Sequence, residues 1–270
     1  MKQVKAFLLL WVLGLASLHA AETDFPYRAR YPDAPTLSTT ELKARLGAIV
    51  VVDVRSRYEY ETLHIKDAVN LPSSDKDFTD RVKALAGKDG KAITFYCNGR
   101  TCHKSYDAAI LALRARVANV SVYDAGIFEW AKTYPEHTVL FDKSPIEASD
   151  LIDHERFRAR LLDAKEFANR VGPRSVVLDI RDRAQRDNML FPFKEQRAQL
   201  DEKAKIDAAL AQAKREGKTL LVYDATGKQV QWFQYYLENQ GIKDYYFMKD
   251  GAQGYYDATL GKVILGKAAN

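Results

Sequence analysis

Residues 93–105 read Ile93-Thr-Phe-Tyr-Cys97-Asn-Gly-Arg-Thr-Cys102-His-Lys-Ser105. The apolar run that ends at Cys97 is typical of a buried β-strand, and a short polar loop containing a glycine follows it. Beyond the loop, apolar side chains recur at helical spacing, at Tyr106, Ala109, Ile110 and Leu113. The pattern therefore predicts that Cys97 lies at the junction between a strand and a helix.

This junction favours a reactive cysteine. The first backbone N–H groups of a helix have no partner within the helix, and together with the helix dipole they attract anions. A cysteine in such a place beside cationic side chains ionises more readily than a free thiol, and the thiolate is the nucleophile. Cys97 is the candidate catalytic residue. The loop residues that we expect to bind substrate are Asn98, Gly99, Arg100, Thr101, Cys102, His103 and Lys104.

Strand and helix patterns alternate around this junction. The β-branched run 49–52 ends at Asp53, and Arg55 follows two positions later. Such runs are expected of strands that are buried on both faces of a parallel sheet. We expect an α/β domain with a central, largely parallel sheet flanked by helices. Ligands of such sheets bind at the carboxyl ends of the strands, where Cys97 is predicted to lie. Asp53 and Arg55 are expected to support the site by pairing or by bracing the end of the sheet.

The second half of the chain repeats the pattern. Asp179 ends an apolar run as Asp53 does, and residues 219–223 match the run before Cys97 but are followed by Asp224. Asp53 precedes Cys97 by 44 positions, and Asp179 precedes Asp224 by 45. Two copies of one fold account for this spacing. We predict one domain over residues 36–137, a linker over 138–158, and a second domain over 159–268 with an aspartate at the nucleophile position.

The first twenty residues have the composition of a secretory signal peptide. Basic residues occur within the first five positions, an apolar stretch over residues 6–16 is short for a membrane span, and Ala20-Ala21 offers a cleavage site. The predicted location is the periplasm or another site outside the cytoplasm, with no stable membrane association once the peptide is removed. An uncleaved membrane anchor is the alternative.

Composition and residue spacing argue against several classes of function. The chain has 270 residues, with 41 Lys and Arg against 36 Asp and Glu, giving a formal net charge of +5. Charges of both signs are interleaved, so the sequence does not favour nucleic acid as a partner. The two cysteines lie in one loop and cannot form a disulfide framework for a chain of this length. No ligand spacing indicates a metal site, and no cofactor is predicted.

Four motifs in the first half are similar to those of the rhodanese (thiosulfate sulfurtransferase) family. They are Asp53-Val-Arg55, His64-Ile-x-x-Ala-Val-Asn70-Leu-Pro72, the strand that ends at Cys97, and Tyr123-x-x-Gly126-x-x-x-Trp130. The resemblance covers about residues 36–135, and a weaker one covers about 160–265. It implies a loop that receives a sulfane sulfur from a donor such as thiosulfate and holds it as a persulfide on Cys97. The partners it implies are a small sulfur-containing anion, a thiol or cyanide acceptor, and a protein that accepts sulfur.

The loop departs from the common rhodanese pattern. In that pattern a glycine stands three positions after the cysteine and a basic residue five after it, whereas this sequence has Gly99 two positions after it and Cys102 five after it. Phosphatases and arsenate reductases of the same fold have an arginine six positions after the cysteine, where this chain has His103. The second half lacks the His-Ile motif, and with Asp224 it resembles the catalytically silent copy of tandem sulfurtransferases.

Several alternatives stay open. Cys102 is a resolving thiol, a disulfide partner of Cys97, or a small residue that packs at the start of the helix. Arg100 and Lys104 either orient an anionic donor or are solvated loop charges, and His103 is a weaker candidate for a general base. The first alternative to a sulfurtransferase is a redox protein that cycles between dithiol and disulfide. The second is a sulfur carrier or binding module without enzymatic activity.

Overall fold

A computed structural model describes residues 24–186 and 188–267 of the chain. The predicted signal peptide, residues 1–20, lies outside the described residues. The chain divides into two compact units between Asp150 and Leu151, called unit 1 and unit 2 below. Within the described ranges, no helix combines the length and the apolar character needed to cross a membrane.

Unit 1 is built around a four-stranded parallel sheet. Its helices and strands are α1 (Thr39–Arg45), β1 (Val50–Asp53), α2 (Arg57–Thr62), β2 (Leu63–Ile65), β3 (Val69–Asn70), α3 (Phe78–Asp89), β4 (Ile93–Tyr96), α4 (Lys104–Arg114), β5 (Val120–Tyr123), α5 (Gly126–Thr133) and β6 (Thr138–Leu140). The strand order is β3-β1-β4-β5, and each neighbouring pair is parallel. A separate antiparallel pair joins β2 to β6.

The buried residues of unit 1 explain why these segments form strands and helices. Val52 of β1 and Phe95 of β4 are fully buried, as expected for central strands of a sheet covered on both faces. Phe78 of α3 and Tyr106 of α4 pack in the same apolar cluster, which also includes Cys97. The loop after β4 is therefore anchored at both ends, because Cys97 belongs to this cluster and α4, which follows the loop, contributes Tyr106 to it.

Unit 2 is built around a five-stranded parallel sheet. Its helices and strands are α6 (His154–Arg158), β7 (Leu161–Leu162), α7 (Ala164–Arg170), β8 (Ser175–Asp179), β9 (Glu195–Arg197), α8 (Lys203–Glu216), β10 (Thr219–Tyr223), α9 (Gln229–Asn239), β11 (Tyr245–Met248) and α10 (Gly251–Lys267). The strand order is β7-β11-β10-β8-β9. All four pairings are parallel.

The two sheets have the same internal order. In unit 1, Thr36 forms an isolated parallel bridge with Val122 of β5, where unit 2 has the short strand β7 beside β11. From that edge inward, β5, β4, β1 and β3 correspond to β11, β10, β8 and β9. The predicted α/β class, with largely parallel sheets flanked by helices, is confirmed.

Residues 138–158, for which a linker is predicted, contain regular structure. They begin with β6, whose Thr138 is paired with Ile65 of β2, and they end with α6. The division between the units falls inside this segment, after Asp150. Thr138 and Leu140 are buried while Val139 between them is half-buried, and this alternation over three residues is too short for a sequence pattern to reveal.

Candidate functional site

Cys97 lies directly after β4, at the carboxyl end of the parallel sheet of unit 1. Its side chain is 2 % exposed and belongs to the apolar cluster beneath α4. Its carbonyl oxygen accepts a hydrogen bond of 3.0 Å from the backbone N–H of Ile127 in α5. The position at the strand-to-helix junction is the one that the sequence predicts.

A disulfide joins Cys97 to Cys102, with their Cα atoms 6.3 Å apart. Of the three roles left open for Cys102, the structure shows the disulfide-bonded one. Cys102 is half-buried, whereas Cys97 is almost fully enclosed. The backbone N–H of Cys102 donates to the carbonyl of Gly99 at 2.8 Å, which closes a turn between the two cysteines. The more accessible end of the disulfide is therefore Cys102.

Gly126 packs against the backbone of the cysteine loop. Its φ of +75° belongs to the left-handed region, and a Cβ atom at this position would lie 2.3 Å from the backbone nitrogen of Gly99. No side chain fits there, because real Cβ contacts do not approach so closely. The glycine of the Tyr123-x-x-Gly126 motif thus allows the start of α5 to support the loop.

Asp53 and Arg55 form a buried ion pair below the loop, and both side chains are fully buried. The Nε atom of Arg55 donates to Asp53 at 2.9 Å, and its Nη2 atom donates to the carbonyl of Leu63 at 2.6 Å. Its Nη1 atom donates to the side-chain oxygen of Asn98 at 3.2 Å. Because these partners fix the guanidinium of Arg55, its hydrogen bond fixes the side chain of Asn98.

Glu59 is a part of this network that sequence reasoning missed. It accepts a hydrogen bond of 2.9 Å from the Asn98 amide and also caps α2 through Ser56. Burial raises the pKa of Glu59, but Arg55, the bonds from Asn98 and Ser56, and Lys104 together hold it below its usual value. The sequence Ser56-Arg-Tyr-Glu59 is a capping box and could have indicated this residue. Asn98 is thus held from both sides, by Arg55 and by Glu59.

Two side chains of the loop, those of Arg100 and His103, already have carboxylate partners. Arg100 lies 3.0 Å from Asp24 and 3.9 Å from Glu129, and its guanidinium stacks over the ring of Phe25. His103 pairs with Asp107 at 2.6 Å. The predicted role of Arg100 toward an anionic donor, and that of His103 as a general base, therefore require these pairs to be exchanged. Lys104 and Thr101 are exposed.

A segment before the first predicted domain also contributes to the site. Arg28 forms an ion pair of 2.7 Å with the buried Asp124, and Tyr106 of α4 donates to the same carboxylate at 2.6 Å. The ring of Tyr27 makes an edge contact with that of His103, their centroids 5.6 Å apart. Residues 24–31 therefore pack beside the cysteine loop. Their sequence carries no motif, so only the fold brings them to the site.

Unit 2 has a matching loop after β10. The side chain of Asp224 is fully buried and accepts backbone N–H groups from four residues, namely Thr226, Gly227, Gln229 and Val230. Burial raises the pKa of Asp224, and the four donors act in the opposite direction. Gly251 stands where Gly126 stands in unit 1, with a φ of +59° and a virtual Cβ 2.6 Å from the Asp224 carbonyl oxygen. The loop of unit 2 is therefore an amide cradle, and its own carboxylate fills it.

Among residues 24–186 and 188–267, no group of three or more His, Cys, Asp or Glu side chains could hold a metal ion.

Comparison with known families finds a match to the rhodanese-like domain over residues 38–133. A transcriptional regulator of the HTH type from Mycobacterium tuberculosis is 34% identical over 98 residues, which are 36% of this chain and 41% of the regulator. The chain thus spans about two fifths of the length of this curated relative.

Two solved structures are also similar. Thiosulfate sulfurtransferase from Pseudomonas aeruginosa is 19% identical, with 83% of this chain and 42% of that chain covered and a TM-score of 0.39. The rhodanese-like domain of an Anabaena protein is 27% identical, with 44% and 90% covered and a TM-score of 0.35. The residues that match the rhodanese-like domain, 38–133, all lie within unit 1.

Proposed function

We propose that unit 1 is a sulfurtransferase that moves a sulfane sulfur from a donor such as thiosulfate to a thiophilic acceptor by way of a Cys97 persulfide. One observation carries the proposal. Cys97 follows the carboxyl end of β4, a central strand of the rhodanese-like domain, and opens the loop 97–103 that leads to an eleven-residue helix, α4. Ligands of parallel sheets bind at this end, and the start of a helix favours the thiolate and the persulfide anion.

The reaction has two half-reactions. The Cys97 thiolate attacks the outer sulfur of thiosulfate, a sulfur–sulfur bond forms, and sulfite leaves with the electron pair of the bond that breaks. The acceptor, cyanide in the assay, then attacks the terminal sulfur of the persulfide and leaves as thiocyanate. Cys97 is restored as a thiolate, so no proton or electron is left over.

The disulfide must be reduced before this cycle can begin. In the described state the Cys97 sulfur is bonded to Cys102 and is not a nucleophile. A thiol reductant is therefore a required co-reactant for activation. We propose that unit 2, with Asp224 in the nucleophile position, forms no persulfide and is the silent copy.

The test compares Cys97→Ser with a matched variant of the other loop, Asp224→Asn, in the thiosulfate-to-cyanide assay on reduced protein. We expect Cys97→Ser to abolish thiocyanate formation and Asp224→Asn to retain it. Turnover that survives Cys97→Ser would contradict the proposal. Persulfide formation without turnover, read as an added mass of about 32 Da, would identify a sulfur carrier instead of an enzyme.

The disulfide itself favours a second candidate function, thiol–disulfide exchange with a partner protein or small thiol. Cys102→Ser separates the two functions, because it removes the redox couple and keeps Cys97. Sulfur transfer that is unchanged and equally dependent on reductant in Cys102→Ser would count against the redox function. Loss of exchange with retained sulfur transfer would assign both activities to one loop.

We also propose that the protein is exported to the periplasm or another compartment outside the cytoplasm. The apolar stretch of residues 6–16 supports this, and so does a disulfide, which persists in oxidising compartments. Cell fractionation with N-terminal sequencing of the mature protein tests it. A cytoplasmic protein that retains residue 1 would contradict it.

A further inference from the structure

The two cysteines of unit 1 differ in accessibility although one bond joins them. Cys97 is 2 % exposed and belongs to the apolar cluster, whereas Cys102 is half-buried and packs against that cluster. A persulfide on Cys97 would place its terminal sulfur in the same loop. Cys102 is therefore the cysteine that is more accessible to the solvent from which an acceptor arrives.

We propose that Cys102 is a resolving residue that gives unit 1 a second activity, the release of hydrogen sulfide from the persulfide. This proposal rests on the proposed function, since it starts from a loaded Cys97. The Cys102 thiol attacks the Sγ atom of Cys97, not the terminal sulfur. The described disulfide is the product of this step.

Atoms and electrons balance in this step. A bond forms between the two Sγ atoms, and the bond between Cys97 Sγ and the terminal sulfur breaks. The terminal sulfur takes the electron pair and the thiol proton and leaves as hydrosulfide. The sulfane sulfur is reduced, and the two cysteines are oxidised to the disulfide.

The loop geometry supports attack by Cys102. The Cα separation of 6.3 Å lies within the range in which two cysteines can bond without movement of the backbone. The hydrogen bond from Cys102 N–H to Gly99 O fixes the backbone of Cys102, and the contact of Gly126 with Gly99 fixes the middle of the loop. Because the attacking sulfur is held within bonding reach, the step competes well with acceptors that arrive by diffusion.

The accessibility of Cys102 also determines how the disulfide is reduced to restore the two thiols. A dithiol reductant reaches the half-buried Cys102 sulfur and forms a mixed disulfide there. Cys97 is then the leaving thiolate, released into the loop that leads to α4. A second thiol of the reductant frees Cys102 as an oxidised, cyclic disulfide of the reductant forms. The net reaction converts thiosulfate and a dithiol into sulfite, sulfide and a disulfide.

The experiment follows a single turnover of the whole chain. Protein is reduced, freed of reductant under anaerobic conditions and mixed with thiosulfate, and intact mass and free sulfide are recorded over time. Wild type should gain about 32 Da transiently and end about 2 Da below the dithiol, with one equivalent of sulfide released. Cys102→Ser and Cys102→Ala should keep the added mass at least ~10-fold longer and release no sulfide in that time.

The outcomes separate this proposal from the proposed function. If wild type and both Cys102 variants hold the added sulfur for equal times without sulfide release, the resolving role is overturned and sulfur loading stands. If no reduced variant gains sulfur, the proposed function and the resolving role both fall. Sulfide release from wild type alone, with disulfide formed in equal amount, supports the proposal.

Discussion

The loop after β4 in unit 1 and the loop after β10 in unit 2 are supported by the same backbone contacts and differ in the chemistry of their first residue. In both, the carbonyl of the first loop residue accepts an N–H group from the second helix after the loop, α5 or α10, at 3.0 Å for Cys97 and 2.8 Å for Asp224. In both, a glycine with positive φ packs against the loop. Asp224, however, binds four amides, whereas Cys97 is bonded to Cys102.

The difference shows that the side chain at the first loop position can keep one chemical state or change between two. A carboxylate that satisfies its amides permanently leaves the loop of unit 2 with no empty place for an anion. In unit 1 the side chain at the same position changes from a disulfide to a free thiol when the bond is reduced. The sulfur chemistry proposed for unit 1 thus depends on the redox state of this bond, whereas the loop of unit 2 should not respond to reduction.

The largest effect that this comparison predicts is the dependence of sulfur loading on reductant. Oxidised wild type should load thiosulfate sulfur roughly 1000-fold more slowly than reduced wild type, because a disulfide-bonded Cys97 is not a nucleophile. Intact mass after thiosulfate treatment measures it. Asp224→Asn should show the same ratio, and Cys102→Ser should load without prior reduction. Equal loading of the oxidised and reduced wild type would refute the assigned role of the disulfide.

The second prediction concerns a substitution that removes the buried carboxylate from the loop of unit 2. Asp224→Ala removes the buried carboxylate that accepts four backbone N–H groups, so the free energy of unfolding should fall by about 3 kcal/mol, measured by urea denaturation under reducing conditions. Cys102→Ser, the matched change in the loop of unit 1, should cost less than about 1 kcal/mol under the same conditions. A loss below about 1 kcal/mol for Asp224→Ala would show that water replaces the carboxylate at little cost.

The sequence predicts the strand-to-helix junctions of both loops, because each is a local pattern: an apolar run, a short polar loop and a helix. It also predicts that Asp53 ends a strand and supports the site. The role of Glu59 is not predicted, since its contact with Asn98 joins residues 39 positions apart. The choice among three roles for Cys102 also depends on a three-dimensional distance, which the spacing of five positions leaves open.

The contribution of residues 24–31 could not be predicted for a similar reason. Arg28 meets Asp124 across 96 positions of sequence, and neither side chain belongs to a recognisable motif. The buried carboxylate of Asp124 binds Arg28 of the N-terminal segment and Tyr106 of α4, two residues that only the three-dimensional fold brings together.

The third prediction compares the two glycines. Gly126→Ala and Gly251→Ala should each lower the free energy of unfolding by about 2 kcal/mol, because alanine at positive φ is strained and its Cβ would meet backbone atoms. Only Gly126→Ala should also slow persulfide formation on Cys97, since it displaces Gly99 of the reactive loop. Urea denaturation and sulfur loading measure the two effects. Equal slowing by both variants would contradict the assignment of the chemistry to unit 1.

The smallest effect concerns Glu59, for which unit 2 supplies a natural comparison. Gln185 has the same place in the Asp182–Gln185 capping box, three residues after the start of the box and close behind Arg181. Glu59→Gln should therefore keep the cap of α2 but lose the charge that faces Arg55, at a cost of about 1 kcal/mol near pH 7.

The sign of its pH dependence follows from the lowered pKa of Glu59 in the folded protein. A carboxylate whose pKa is depressed by folding stabilises the protein above its unfolded pKa, and this stabilisation is lost as the pH falls through the folded pKa. The difference between wild type and Glu59→Gln should be greatest near neutral pH and should vanish in acid, measured by urea denaturation across pH. Gln185→Glu, as the reverse change in unit 2, should leave sulfur loading unaltered. A constant difference between wild type and Glu59→Gln at every pH would show that Glu59 acts through packing and not through its charge.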